Sequence, residues 1–145
     1  MINVTSYFLY NLSNLLIIIL IPSDVASDYL NIYSVGSGIF SFYVFYHFSI
    51  KELIKKKTII IVGISSVVLD YFFTSSILFI VFIYTLLLIH SDYYFSQSNL
   101  KKTNFVFKFL LLITSLLLFF KIHIIIIVDI KIIIICFFYL FSNYL

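Results

Sequence analysis

Long apolar runs separated by short polar stretches organise the chain. A bilayer core about 30 Å thick takes about 20 apolar residues as a helix, so each run is read against that length. The first, 7–22, is solidly apolar only over Leu15–Ile21 and is marginal as a span. Ser23–Asp28 is polar and reads as a loop, with Ser23 or Asp24 suited to cap a helix. The second run, 30–50, is a fuller span. Ser34, Gly38 and Ser41 recur along it at i, i+4 and i+7, a small-residue stripe that lets a second helix approach closely.

A lysine-rich connection follows, with Lys51, Lys55, Lys56 and Lys57 around Glu52. Such a loop is expected on the positive, cytoplasmic or matrix-like side of a membrane. The run 58–89 exceeds one bilayer crossing, yet it holds a single acid, Asp70, and no proline to turn it. It is expected to form one long, tilted or protruding helix. His90–Asn104 reads as a polar loop, 105–128 as another span, and 129–145 as a C-terminal helix lying at the interface or packed on a neighbour. Isolated strands in lipid would leave backbone groups unsatisfied, so the isoleucine runs are read as helices. The expected fold is an all-α integral membrane protein of one domain, 1–145, with three to four transmembrane helices plus that last helix.

Composition sharpens this class. Hydrophobic residues make up 63% and charged residues 10% of the 145-residue chain, against about 45–50% and about 25% in soluble domains. Mean hydropathy is +1.20. These values exclude an ordinary soluble domain, a disordered chain and a basic nucleic-acid-binding domain. Phe 18 and Tyr 12 stand beside abundant Ile and Leu, while Trp is absent and Pro occurs once. Every cation apart from histidine is Lys, a residue with AT-only codons, as expected of an AT-rich genome such as a protist mitochondrial one. Neither a basic leader before the first apolar run nor an Arg- and Ser-rich amphipathic leader is visible, so synthesis inside an organelle or co-translational insertion in a bacterium is expected.

Asp70 is the residue with most to say about chemistry. A carboxyl inside an apolar helix normally faces protein or water and marks a pathway. Gly63, Ser66, Asp70 and Thr74 follow at i, i+3, i+7 and i+11, on one helical face. Asp70, Ser66 and Thr74 are therefore the proton-relay candidates, the alternative being an acid held at a helix contact. Lys121, His123, Asp129 and Lys131 form a second charged group, read as an interfacial segment with its charges solvated. His47, His90 and His123 each stand alone, without the paired ligands a haem or metal needs. Cys136 lies in an apolar run and reads as inert. No nucleotide-binding loop or nucleophile–base arrangement is present, so no catalytic residue, metal or cofactor is assigned.

The order of a first span, a short basic link, and Lys57-Thr58-Ile59-Ile60-Ile61-Val62-Gly63-Ile64 opening an acid-bearing span resembles the 4L subunit of NADH:ubiquinone oxidoreductase, respiratory complex I. Where that family has its first membrane glutamate, near Ser65, this chain has no acid, and Asp70 lies more than a turn further on. The composition also resembles the divergent, mitochondrially encoded membrane subunits of ciliates. These resemblances imply a non-catalytic subunit in the proton-pumping arm of complex I in the mitochondrial inner membrane, without an active site of its own. The expected partners are lipids and other membrane subunits of a large hetero-oligomeric complex, with no nucleic acid. A structural subunit of cytochrome c oxidase or ATP synthase, or an independent small protein of a bacterial inner membrane, remain alternatives.

Overall fold

The computed structural model describes residues 2–49, 56–73, 77–95 and 100–142, with side chains for all of these but 2–3, 40 and 43–49. Among the described residues the regular structure is entirely helical. In chain order come α1 (Ile2–Leu20), α2 (Ser23–Ser49), α3 (Lys56–Phe73), α4 (Ile77–Phe95), α5 (Lys101–Leu116) with a 3-10 turn at Leu117–Phe120, and α6 (Ile124–Phe141). Three of these are long and apolar enough to cross a membrane: 77–95, 101–120 including the 3-10 turn, and 124–141, with a shorter apolar helix at 4–20. The chain is a multi-pass α-helical membrane protein.

Side-chain contacts fix the direction of each helix. Lys56 at the start of α3 donates to Ser142 just past the end of α6, at 2.7 Å, so these two run antiparallel. Ser13 of α1 meets Leu111 and Ser115 of α5, while Lys108 stands over the ring of Tyr10, so α1 and α5 run the same way. His90 and Tyr139 meet near the ends of α4 and α6, which are also parallel to each other. Successive helices therefore alternate in direction. One end of the bundle carries Lys56, Lys57, Lys101 and Lys102. Around the other lie Asp24, Asp28, Asp70, Asp129 and Lys121. We call these the lysine-rich and acid-rich ends.

The structure divides the sequence differently from the expectation at three places. The loop expected over Ser23–Asp28 is the opening of α2, which begins directly after Pro22. The single helix expected over 58–89 is two helices, α3 and α4, packed on each other, with residues 74–76 outside the described set. Each reaches usable length by taking in polar residues assigned to loops: Lys56 and Lys57 begin α3, and His90–Phe95 end α4. The span expected over 105–128 is likewise interrupted. Its helix tightens into the 3-10 turn, and Lys121 adopts a left-handed conformation (φ 57°), reversing the chain. His123 then caps α6, its Nδ1 accepting from the Ile125 amide at 3.4 Å. The last helix thus begins at Ile124, is a candidate span itself, and packs against α3, α4 and α5.

Helix association in lipid gains little from apolar burial alone and depends on close packing. Two glycines supply it. A Cβ on Gly36 of α2 would stand 3.2 Å from Thr85 Cγ2 of α4. A Cβ on Gly63 of α3 would run into Cys136 Sγ of α6. The stripe of Ser34, Gly38 and Ser41 faces outward instead, with nothing within 4 Å of a Cβ on Gly38. Outward too are Tyr7, Phe8 and Ile19 of α1 and Ile61, Tyr71 and Phe72 of α3. An apolar surface this broad is suited to lipid or to neighbouring membrane helices.

Candidate functional site

The antiparallel register of α3 and α6 brings two acids together. Starting from Lys56–Ser142, it passes Cys136 Sγ, 3.9 Å from the Ile60 carbonyl, and the Gly63 contact, and reaches Asp70 opposite Asp129. The Asp70 and Asp129 side chains lie close enough to interact directly. Asp70 is buried, and among the described residues the buried Asp129 Oδ1 has no hydrogen-bond partner. A hydrogen bond between carboxyls needs a proton on one of them, because two carboxylates have no donor between them. Two carboxyl groups this close can hold one proton between them.

Ser66 and Gly63 share the buried face of α3 with Asp70, as the spacing predicted. The Ser66 hydroxyl, however, donates back to the Gly63 carbonyl at 2.8 Å. That bond satisfies the hydroxyl within its own helix and does not extend a chain from the acids. Thr74 lies outside the described residues. Thr85, on a different helix from Asp70, is buried and donates to the Val81 carbonyl at 2.8 Å.

A second polar centre lies on the opposite face of α6. Lys131 is fully buried, at 0% exposure, which corrects its expected place in a solvated interfacial segment. Its ammonium donates to Ser115 Oγ of α5 at 2.6 Å and to Ser13 Oγ of α1 at 3.0 Å. The two serine oxygens are 2.8 Å apart, and each donates to the Leu111 carbonyl, at 3.0 Å from Ser13 and 3.1 Å from Ser115. The Tyr84 ring of α4 lies 5.7 Å from the nitrogen, within cation–π range. Hydroxyls from two helices and a π-face from a third thus surround the Lys131 nitrogen, which has no carboxylate beside it among the described residues.

From this centre a band of hydroxyls leads towards the lysine-rich end. Tyr10 and Tyr33 share a hydrogen bond of 3.0 Å, and Asn14 Nδ2 donates to Tyr33 at 3.1 Å. Lys108 then pairs with Asp92 while resting over the Tyr10 ring. Among the described residues the buried hydroxyls of Tyr29 and Tyr84 have no hydrogen-bond partner. Elsewhere, His90 Nδ1 and the Tyr139 hydroxyl are 2.5 Å apart. Among the described residues no three His, Cys, Asp or Glu side chains converge as a metal-binding set.

Sequence reasoning singled out Asp70 and Asp129 but kept them apart, because their meeting depends on the register of α3 against α6. It passed over Ser13, Ser115 and Tyr84 altogether. The available signal was a hydroxyl within an apolar helix, which in lipid tends to serve as a contact between helices. The chain matches no protein family, no curated protein and no solved structure to which it was compared.

Proposed function

We propose that the chain is a non-catalytic membrane subunit of a mitochondrial respiratory complex, specifically of the proton-pumping arm of NADH:ubiquinone oxidoreductase, where the Asp70–Asp129 pair passes protons. The observation that carries this reading is the facing of the Asp70 and Asp129 carboxyls between α3 and the candidate span α6. Intramembrane acids are costly and cluster on ion and proton paths. A carboxyl pair that takes up and releases one proton without a change of partner is chemically suited to that work. The order of spans and the basic link point to the same family, and the outward apolar faces of α1 and α3 suit a subunit surrounded by other helices.

Blue-native electrophoresis of gently solubilised membranes, with mass spectrometry of the band holding this chain, tests the assembly. NADH dehydrogenase subunits are expected in that band. Cytochrome oxidase or ATP synthase subunits there would make the chain a structural part of those complexes. A small band with this chain alone would end the subunit reading. Asp70→Asn tests the proton role, because an amide still donates to Asp129 but cannot release a proton at working pH. Assembly should survive while proton pumping falls. Undiminished pumping in an assembled complex would remove the pair from the path.

A further inference from the structure

We propose that the cavity between the end of α1, the start of α2 and the turn leading into α6 holds an anionic phospholipid, its head group at Lys121 and His123 and part of an acyl chain against the apolar walls. The proposal does not rest on the proton-handling reading above, because its residues are separate from Asp70, Asp129 and Lys131.

The cavity has a volume of about 320 Å³, within the range of about 300–1,000 Å³ usual for small-molecule sites. Its walls include Pro22, Val25, Leu118 and Ile122. Among the described residues, Lys121 and His123 are the only ionisable groups that line it. Asp24 and Asp28 belong to the first two turns of α2 but are not part of the lining.

Position decides what fills such a space. α1 ends at Leu20, the apolar segment 101–120 ends one residue before Lys121, and the apolar helix α6 begins at Ile124. Three apolar segments therefore stop at one level, which places the cavity where hydrocarbon meets head groups, in the leaflet at the acid-rich end. A ligand there meets apolar surface on one side and basic side chains on the other. A free anion would leave the apolar walls uncovered, whereas a lipid matches both, and basic pockets between membrane helices bind anionic head groups.

The backbone sets the two basic groups for this contact. Lys121 is left-handed (φ 57°), and its amide donates to the Leu118 carbonyl at 3.0 Å, so a tight turn fixes where its stem leaves the chain. Its side chain is exposed and makes no ion pair among the described residues. A lysine stem can lie along apolar surface while its ammonium stays at the polar boundary. His123 Nδ1 accepts from the Ile125 amide. That bond leaves the ring proton on Nε2, which can donate to a phosphate oxygen.

Native mass spectrometry of the full chain in detergent, with phosphatidylglycerol or phosphatidylcholine of the same acyl chains added, tests the site. One phosphatidylglycerol is expected to bind about tenfold more tightly than phosphatidylcholine, equivalent to about 1.4 kcal/mol. Lys121→Gly removes the ammonium and suits the left-handed backbone, so the turn is kept. It should abolish the preference, while Lys121→Arg should retain it. Val25→Phe fills the cavity and should weaken the binding of phosphatidylglycerol. Equal binding of the two lipids by the wild type, or an unaltered preference in Lys121→Gly, would overturn the proposal. Binding unaffected by Val25→Phe would place the lipid elsewhere on the bundle. Displacement of the lipid by inorganic phosphate would make this a site for free anions and overturn the assignment to a lipid.

Discussion

Lys131 shows how much a single buried charge depends on small partners. Its hydroxyl acceptors come from α1 and α5, helices far apart in sequence, and each serine also donates to the Leu111 carbonyl. Removing one acceptor leaves a buried ammonium donor unmet, at a cost of about 1–3 kcal/mol. Removing the charge itself discards both the donors and their desolvation, and replacing buried ionic groups by apolar ones of like volume is often neutral or stabilising. Ser115→Ala should therefore lower stability by about 1–3 kcal/mol, whereas Lys131→Met should hold or raise it. Unfolding of the full chain in detergent, followed by circular dichroism, compares the two. Equal losses from both substitutions would show that Lys131 contributes through packing and not through hydrogen bonds. The lysine was visible in the sequence, but its burial was not, because an isolated cation in an apolar run is equally consistent with an interfacial position.

At the scale of elements, the α3–α6 contact sets the geometry of the acid pair. Gly63 lets the helices approach where Cys136 fills the gap, and Asp70 meets Asp129 about two turns further along α3. Gly63→Ala would place a methyl group on Cys136 Sγ, with Ile132 Cγ2 only 3.3 Å away. Overpacking of this kind costs about 1–3 kcal/mol. Cys136→Ala opens the space, so the double variant should recover most of that loss, and a double-mutant cycle should give a clear coupling energy. Additive losses would mean that the two residues do not meet. The helical class, and the shared face of Gly63, Ser66 and Asp70, were legible from apolar length and from the 3.6-residue period. The breaks were not. Neither break carries a glycine or proline: one falls at Lys121 in a left-handed conformation, and between α3 and α4 the sequence offers only Thr74-Ser75-Ser76. These short polar signals were outweighed by the apolar residues around them, and length was misjudged because charged residues belong to the helix ends.

Across the whole molecule, alternating helices sort the charges into two ends. Lys56, Lys57, Lys101 and Lys102 gather at one, although they come from two helices separated by more than forty residues of chain. Asp24 and Asp28 open α2 at the other, close to where Lys121 and His123 turn the chain. A lysine cluster next to spans sets orientation through the positive-inside rule, while aspartates contribute little to it. The lysine-rich end is therefore expected on the cytoplasmic or matrix side. The acid pair lies nearer the other end, on the face of α6 opposite Lys131. A bundle inserted the other way would reverse the side nearer the acid pair, so orientation bears directly on the proposed function. Lys57→Cys and Lys121→Cys, each in a Cys136→Ala background, report it, because both lysines are exposed. A membrane-impermeant maleimide should label position 57 only from the cytoplasmic or matrix face and position 121 only from the opposite face. Labelling of both from one face would break the alternation of helices, and labelling in the reverse sense would invert the bundle and the side on which the acid pair lies.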